Sequence, residues 1–197
     1  MYLYGASGHG KVIAEIAEDN NVVVEAFIDE NIFKDTIFNY PIIHDLPSKE
    51  IEVIISIGNN RIRKEIVSMN QYFSYKKLIH PKTSISKRSS IDEGSVVMAG
   101  VSINTDVIVG KHCIINTNAS IDHECIIGDY VHISPNVALA GKVEINEGSH
   151  IGIGAIIIQG IKIGKWTTIG AGSVVIKDVP DNAVVVGNPA RIIKYNK

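Results

Sequence analysis

The sequence predicts two folds in series: a small α/β N-terminal domain over residues 1–78, then an all-β parallel solenoid over 79–178. A short tail covers 179–197. Two observations predict this. From Ile85 to Val175 every sixth residue is aliphatic, sixteen positions with no insertion. The residue two before each is small or β-branched, from Thr83 and Ser89 through Cys113 and Cys125 to Ser173. A fixed short period with two inward positions per unit is the pattern of a solenoid. Ahead of it, an apolar run, a glycine loop, a helix-spaced segment and a second apolar run form a βα unit that returns to strand.

Met1–Tyr4 is the first strand, short and buried. The loop Gly5-Ala6-Ser7-Gly8-His9-Gly10 follows, then a helix over Lys11–Asp19 with Val12, Ile13, Ile16 and Ala17 at helical spacing. The glycines run G-x-x-G-x-G, which is not the dinucleotide fingerprint. A glycine turn at a helix N-terminus still offers free N–H groups and the positive dipole end to an anion. Val22–Ile28 is the second strand. It ends at Asp29, where such folds contact a ribose or base. Glu30–Pro47 is irregular, with Pro41, Pro47 and the apolar pair Ile42–Ile43. Ile51–Ile57 is the third strand, and Arg61–Met69 the second helix. The turn Gly58-Asn59-Asn60 between them lies at the strand edge where ligands bind in open α/β sheets. The domain is thus a small Rossmann-like βαβαβ unit. His80-Pro81 marks its end, since the residue before Pro favours extended backbone.

In the repeat, each hexad points one large and one small residue inward. The remainder turns a corner, where Gly, Asn and Asp after the aliphatic residue tolerate left-handed angles. Three such faces close a coil of eighteen residues. About five coils stacked at ~4.8 Å make a prism roughly 24 Å tall. After Val175 the register stops. The tail holds Gly187-Asn188-Pro189 and the cations Arg191, Lys194 and Lys197.

A net charge of −2 carries no basic excess, which speaks against nucleic acid as a partner. The mean hydropathy of +0.15 comes from aliphatics spread at period six, with no run near the ~20 residues of a spanning helix. No basic leader precedes Tyr4, so no signal peptide is expected. Cys113 and Cys125 occupy inward positions two hexads apart, which makes them core thiols and fits a reducing cytoplasm.

Chemistry would sit on histidines. His132 and His150, eighteen apart, stack on one outward face, and His112 and His123 lie on corners. His123 and His132 are nine apart, half a coil, so within one chain they lie on opposite sides of the prism. If both serve one site, it lies between subunits, as three prisms packed side by side would allow. No two histidines have the spacing of a histidine-rich zinc site, so no metal is expected. A neutral imidazole at His123 could take a proton from an attacking amine, with Asp122 or Glu124 fixing its tautomer. A backbone N–H near Gly141 is a candidate donor to an oxyanion.

The hexad repeat resembles the left-handed parallel β-helix of the hexapeptide acyltransferases. Further pieces sharpen the likeness: YGASGHG at the start, SIGNN before an IRKE helix, LIHP at the junction, then SIDHECIIGD and VGNPA. Together they resemble the sugar O- and N-acetyltransferases grouped with the sialic-acid O-acetyltransferases, and in particular the UDP-4-amino sugar acetyltransferases of bacillosamine-type pathways. The resemblance implies an acetyl-CoA-dependent N-acetyltransferase, a cytoplasmic homotrimer with inter-subunit sites. It implies His123 as base and Glu124 as the acid that raises its basicity. It places His132, Ile153 and Ala171 at the acetyl-CoA. Ser7, Gly8, His9, Asp29 with Glu30, and Gly58 would hold a UDP-linked amino sugar, with Asn59 in the same turn. Glu30 stands where the relative has a second Asp. The alternatives are O-acetylation of a sialic acid or nucleotide sugar, a GDP-linked amino sugar, and a non-catalytic module that binds a nucleotide sugar.

Overall fold

A computed structural model describes residues 1–33, 35–47 and 50–196. Lys197 of the predicted basic tail lies outside the described residues.

The first domain is a three-layer α/β unit. Its sheet contains β1 (Tyr2–Tyr4), β2 (Ala26–Ile28), β3 (Thr36–Ile37), β4 (Tyr40–Ile43), β5 (Glu52–Ile55) and β6 (Ser74–Tyr75), in the order β3-β4-β2-β1-β5-β6. All pairs are parallel except β3 with β4. Strand alternation sorts the side chains between two layers. Leu3, Phe27 and Ile54 pack with α1 (Gly8–Asp19). Val53, Ile55 and Ile28 pack with Ile66 and Val67 of α2 (Asn60–Met69).

The β3–β4 hairpin falls where the sequence reads as irregular. Pro41 disguises it. That residue pairs only with Thr36 of β3, while β4 meets β2 through Phe27↔Ile42 and Ile28↔Ile43. The missing Pro N–H is therefore not needed by the main sheet.

From β7 (Leu78–Ile79) to β23 (Val174–Val175) the chain forms two-residue strands every six residues, distributed over three faces. The first face carries β7 and every third strand after it, the second face starts at Ser84–Ile85 and the third at Ser90–Ile91. Each strand from Leu78–Ile79 to Ile156–Ile157 pairs in parallel with the one eighteen residues later, as in Ile115↔Ile133↔Ile151. The result is the predicted left-handed parallel β-helix. From Ile91 on, the inward aliphatic residues and the apolar small ones form one continuous buried core that includes Cys113 and Cys125. Ile133 is wholly buried at the centre of a stack. Ile133→Ala is expected to cost about 2–5 kcal/mol, because rigid neighbouring coils cannot collapse into the gap. Urea unfolding of the variant measures it.

The corners differ from the sequence expectation in one respect. The left-handed residue is the third after each inward aliphatic, not the first. It is Gly at Gly94 and Gly100, but Asp106, His112, Asn118, Glu124, Tyr130, Lys142 and Trp166 also adopt φ of +53° to +60°. A fixed coil forces this conformation on residues that rarely choose it.

The prism also continues past Val175. Val179 bridges to Ile163, and β24 (Ala183–Gly187) adds to the first face through Thr168↔Val184 and Ile169↔Val185. The spacing from Ile169 to Val185 is sixteen residues instead of eighteen, which is why the sixfold count fails there. β25 (Ala190–Tyr195) folds back on β24 as an antiparallel hairpin.

The first domain sits on the first face. Leu78, Val96, Met98 and Ile114, all on or beside that face, join one core cluster with α1 residues and Leu3. The face that looks outward in the repeat is thus a domain interface.

Candidate active site

His123 lies on the corner between the second and third faces. β14 (Ser120–Ile121) ends there and β15 (Ile126–Ile127) begins. Asp122 anchors the corner. Its Oδ1 accepts from the His123 N–H at 2.8 Å and from Asn104 Nδ2, one coil below, at 2.7 Å. These bonds, the Asn104 amide foremost, hold the Asp122 carboxyl below the usual carboxylate range. Glu124 is the left-handed corner residue, φ +59°, and its N–H bonds to the Thr105 carbonyl. That backbone turn brings Glu124 Oε2 to 2.9 Å from His123 Nδ1. Asp122 Oδ2 is 3.9 Å from Nε2. Glu124, not Asp122, is therefore the acid that orients the ring. A carboxylate accepting at Nδ1 places the proton there and leaves the Nε2 lone pair free.

Gly141 lies one coil above. A Cβ on it would come within 2.5 Å of His123 Cε1 and Nε2, so the glycine makes room for the ring. Its N–H has no acceptor among the described residues. Beside this corner, on the second face, runs a groove of about 380 Å³ lined by Ile121, Ala138, Leu139, Ala140 and Ile156–Gln159. Ile153 and Ala171 do not line this groove; they lie at the corner between the first and second faces. There Ile153 is half exposed and its carbonyl accepts from Gly172 N–H, beside Ala171.

The remaining predicted residues gather on the far side of the prism, at the carboxyl ends of β1, β2 and β5. Gly5, φ +116°, opens the loop, and Gly10 packs so close that a Cβ would meet the Gly5 carbonyl at 2.4 Å. Ser7 is the N-cap of α1 but makes no side-chain cap bond, and the space around Gly8 is open. Asp29 holds the loop: Oδ2 accepts from the Ala6 N–H at 2.7 Å and Oδ1 from Asn31 N–H at 2.9 Å. A cavity of about 370 Å³ lies against Tyr4, Gly5, Asp29, Glu30, Ile57, Ile62 and Ile66. Asn59 does not reach this cavity. Its Oδ1 caps α2 by accepting from the Arg61 and Ile62 N–H groups, so only its backbone N–H is left to face a ligand at the strand ends.

His9 and His132 meet across the domain interface, ring centroids 6.4 Å apart, and His150 stacks over His132 at 4.7 Å. Asn116 Nδ2 contacts His132 Nε2, and Ser134 Oγ contacts His150 Nε2. The buried His9 Nε2 has no partner among the described residues, and His132 meets the Gly58 backbone. Burial lowers the pKa of His9 to about 4 and of His132 to about 3, with the Arg63 charge adding to both. The fold thus keeps these rings neutral. The unfolded chain protonates them first as pH falls below about 6.5. Stability is therefore full above that value and drains away toward the folded pKa values. By pH 5 each ring should cost about 2 kcal/mol. Urea unfolding at about pH 7.5 and about pH 5 measures the loss, and His132→Asn should reduce it.

Arg63, Ser134 and Lys142 were not foreseen, whereas the stacking of His150 on His132 was. Lys142 Nζ lies 3.6 Å from Glu124 Oε2 and shares the acid that orients His123. For Arg63 the apolar pattern of α2 misleads: Ile62 is exposed while Asn60 and Arg63 are buried.

A β-helix with a histidine–glutamate pair on one corner, joined to an α/β domain with a ligand edge, has the parts an acyltransferase needs, and the comparisons make the chain one. Residues 1–70 match the family described as the PglD N-terminal domain. The acetyltransferase domain of PglB from Neisseria gonorrhoeae is 36% identical, with 98% of each chain covered and a TM-score of 0.91. It has also been solved in complex with acetyl coenzyme A. PerB from Caulobacter crescentus, in complex with CoA and GDP-perosamine, is 35% identical over 98% of this chain and 96% of that one, TM-score 0.93. WeeI from Acinetobacter baumannii is 31% identical over 98% of both, TM-score 0.91. The chain belongs to the hexapeptide-repeat sugar acetyltransferase family.

Proposed function

We propose that this chain transfers an acetyl group from acetyl-CoA to the 4-amino group of a UDP-linked 4-amino-4,6-dideoxy sugar. The observation that carries the reading is the His123–Glu124 pair with the unpaired Gly141 N–H next to it. The sugar nitrogen attacks the thioester carbonyl carbon. His123 Nε2 takes the proton from that nitrogen, and Glu124 stabilises the imidazolium through Nδ1–H. The Gly141 N–H meets the oxyanion. The carbon–sulfur bond then breaks, and the CoA sulfur leaves as thiol with the proton that His123 Nε2 took, which returns the base to its neutral form.

His123 and the His9–His132 pair lie on opposite sides of one prism. This supports a homotrimer in which His123 of one copy serves the nucleotide sugar held by its neighbour, with Ile153 and Ala171 along the acetyl-CoA. The two buried thiols fit a cytoplasmic setting. Among the described residues no helix is long and apolar enough to cross a membrane.

A second reading, a GDP-linked amino sugar, is favoured by the likeness to PerB with its bound GDP-perosamine. Thiol release from acetyl-CoA against UDP-, GDP- and CMP-linked sugars, in 4-amino and 4-hydroxy pairs, decides between them. Turnover confined to a UDP-4-amino sugar is the expected result. Turnover on a GDP-amino sugar selects the second reading, and turnover on 4-hydroxy sugars or sialic acid moves the enzyme to O-acetylation.

A further inference from the structure

Arg63 is among the largest fully buried side chains in the molecule, and among the described residues it forms no ion pair with a carboxylate. Its N–H groups end on neutral acceptors. Nε donates to the His112 carbonyl at 2.8 Å, and Nη1 to Ile57 at 2.9 Å and Gly58 at 3.4 Å. Nη2 donates to Asn60 Oδ1 and to the Tyr130 carbonyl, both at 2.9 Å. The guanidinium thus ties the turn after β5 to the prism corner. It also leaves a full positive charge in the interior, which proteins avoid unless the charge is balanced.

The turn shows what could balance it. In a trans peptide the C=O and the following N–H point opposite ways. Drawing the Ile57 and Gly58 carbonyls onto Arg63 turns the Gly58 and Asn59 N–H groups away from it. Neither has an acceptor among the described residues. Across the same strand ends, α1 begins without a side-chain cap, so its first N–H groups are open as well. The nearby rings of His9 and His132 are neutral and supply no competing charge.

We propose that Arg63 is a positioning residue for the diphosphate of the nucleotide-linked substrate: it turns the Gly58 and Asn59 N–H groups outward, and its charge is balanced when the diphosphate binds beside them. The proposal deepens the function proposed above and rests on the nucleotide site being at these strand ends. It differs from a purely mechanical clamp, which would affect all ligands of the domain alike.

The test is binding of UDP and GDP against uridine and guanosine, by ligand-observed NMR on the full chain. In Arg63→Met the favoured diphosphate should bind about tenfold or more weakly, with its nucleoside unchanged. The salt dependence of diphosphate binding should flatten. Arg63→Lys keeps the charge and should hold the diphosphate-to-nucleoside ratio within about threefold of wild type. Equal weakening of diphosphate and nucleoside in Arg63→Met, or no weakening, overturns the proposal. If Arg63→Met does not fold, Arg63→Lys decides: a retained ratio supports the proposal and a collapsed one overturns it. Wild-type protein that binds no nucleotide at all overturns the site itself, a result distinct from a variant that binds normally.

Discussion

His123→Ala is expected to lower kcat by about 10²–10⁴ while acetyl-CoA and the nucleotide sugar bind as in wild type. The size follows from the chemistry. An amine that attacks a thioester becomes a cation, and the intermediate collapses back unless the proton leaves. Only a base within reach can take it. His123 is half exposed on a corner, contributes nothing to the core, and has its Nδ1 side occupied by Glu124 at 2.9 Å. Removing the ring therefore removes the base without disturbing the prism. Glu124→Gln should cost less, about tenfold, because the amide keeps a hydrogen bond to Nδ1 but no longer offsets the imidazolium charge. Single-turnover rates with calorimetric binding of each substrate separate the two effects. Unchanged turnover in His123→Ala would remove His123 from the mechanism.

The prism was legible because a stacked coil repeats the same inward geometry every six residues, and Ile115, Ile133 and Ile151 each had to be aliphatic for the same reason. The opposite placement of His123 and His132 was equally legible, since nine residues is half of one coil. What could not be read was whatever depends on one domain touching the other. His132 and His150 face outward in the repeat, yet the first domain covers them and brings His9 to within 6.4 Å. Arg63 was hidden because a cation in an amphipathic helix reads as solvent-facing, and only the prism carbonyls of His112 and Tyr130 make its burial tolerable. The choice between Asp122 and Glu124 waited on a backbone angle. Glu124 reaches Nδ1 because the corner forces it left-handed, and no composition rule marks that position as Glu.

Gly141→Ala is expected to lower kcat by about 10²-fold or more while leaving the melting temperature nearly unchanged. The two halves of this expectation come from one contact. A Cβ at position 141 would lie 2.5 Å from His123 Cε1 and Nε2, far inside van der Waals contact. The backbone at Gly141 does not require a positive φ, so alanine fits the coil. The atoms in the way belong to the end of a half-exposed side chain, which can rotate into solvent at little cost. The ring therefore gives way and the fold does not. Once displaced, Nε2 no longer faces the groove, and the Nδ1 bond to Glu124 that fixes its tautomer is lost with it. Because alanine retains its N–H, the candidate oxyanion donor survives the substitution. Loss of activity in Gly141→Ala would thus report on ring position, and equal loss in His123→Ala and in the double variant would show that both act through the imidazole. A fully active Gly141→Ala would mean that the catalytic proton is taken by a group other than the His123 ring in the position seen here.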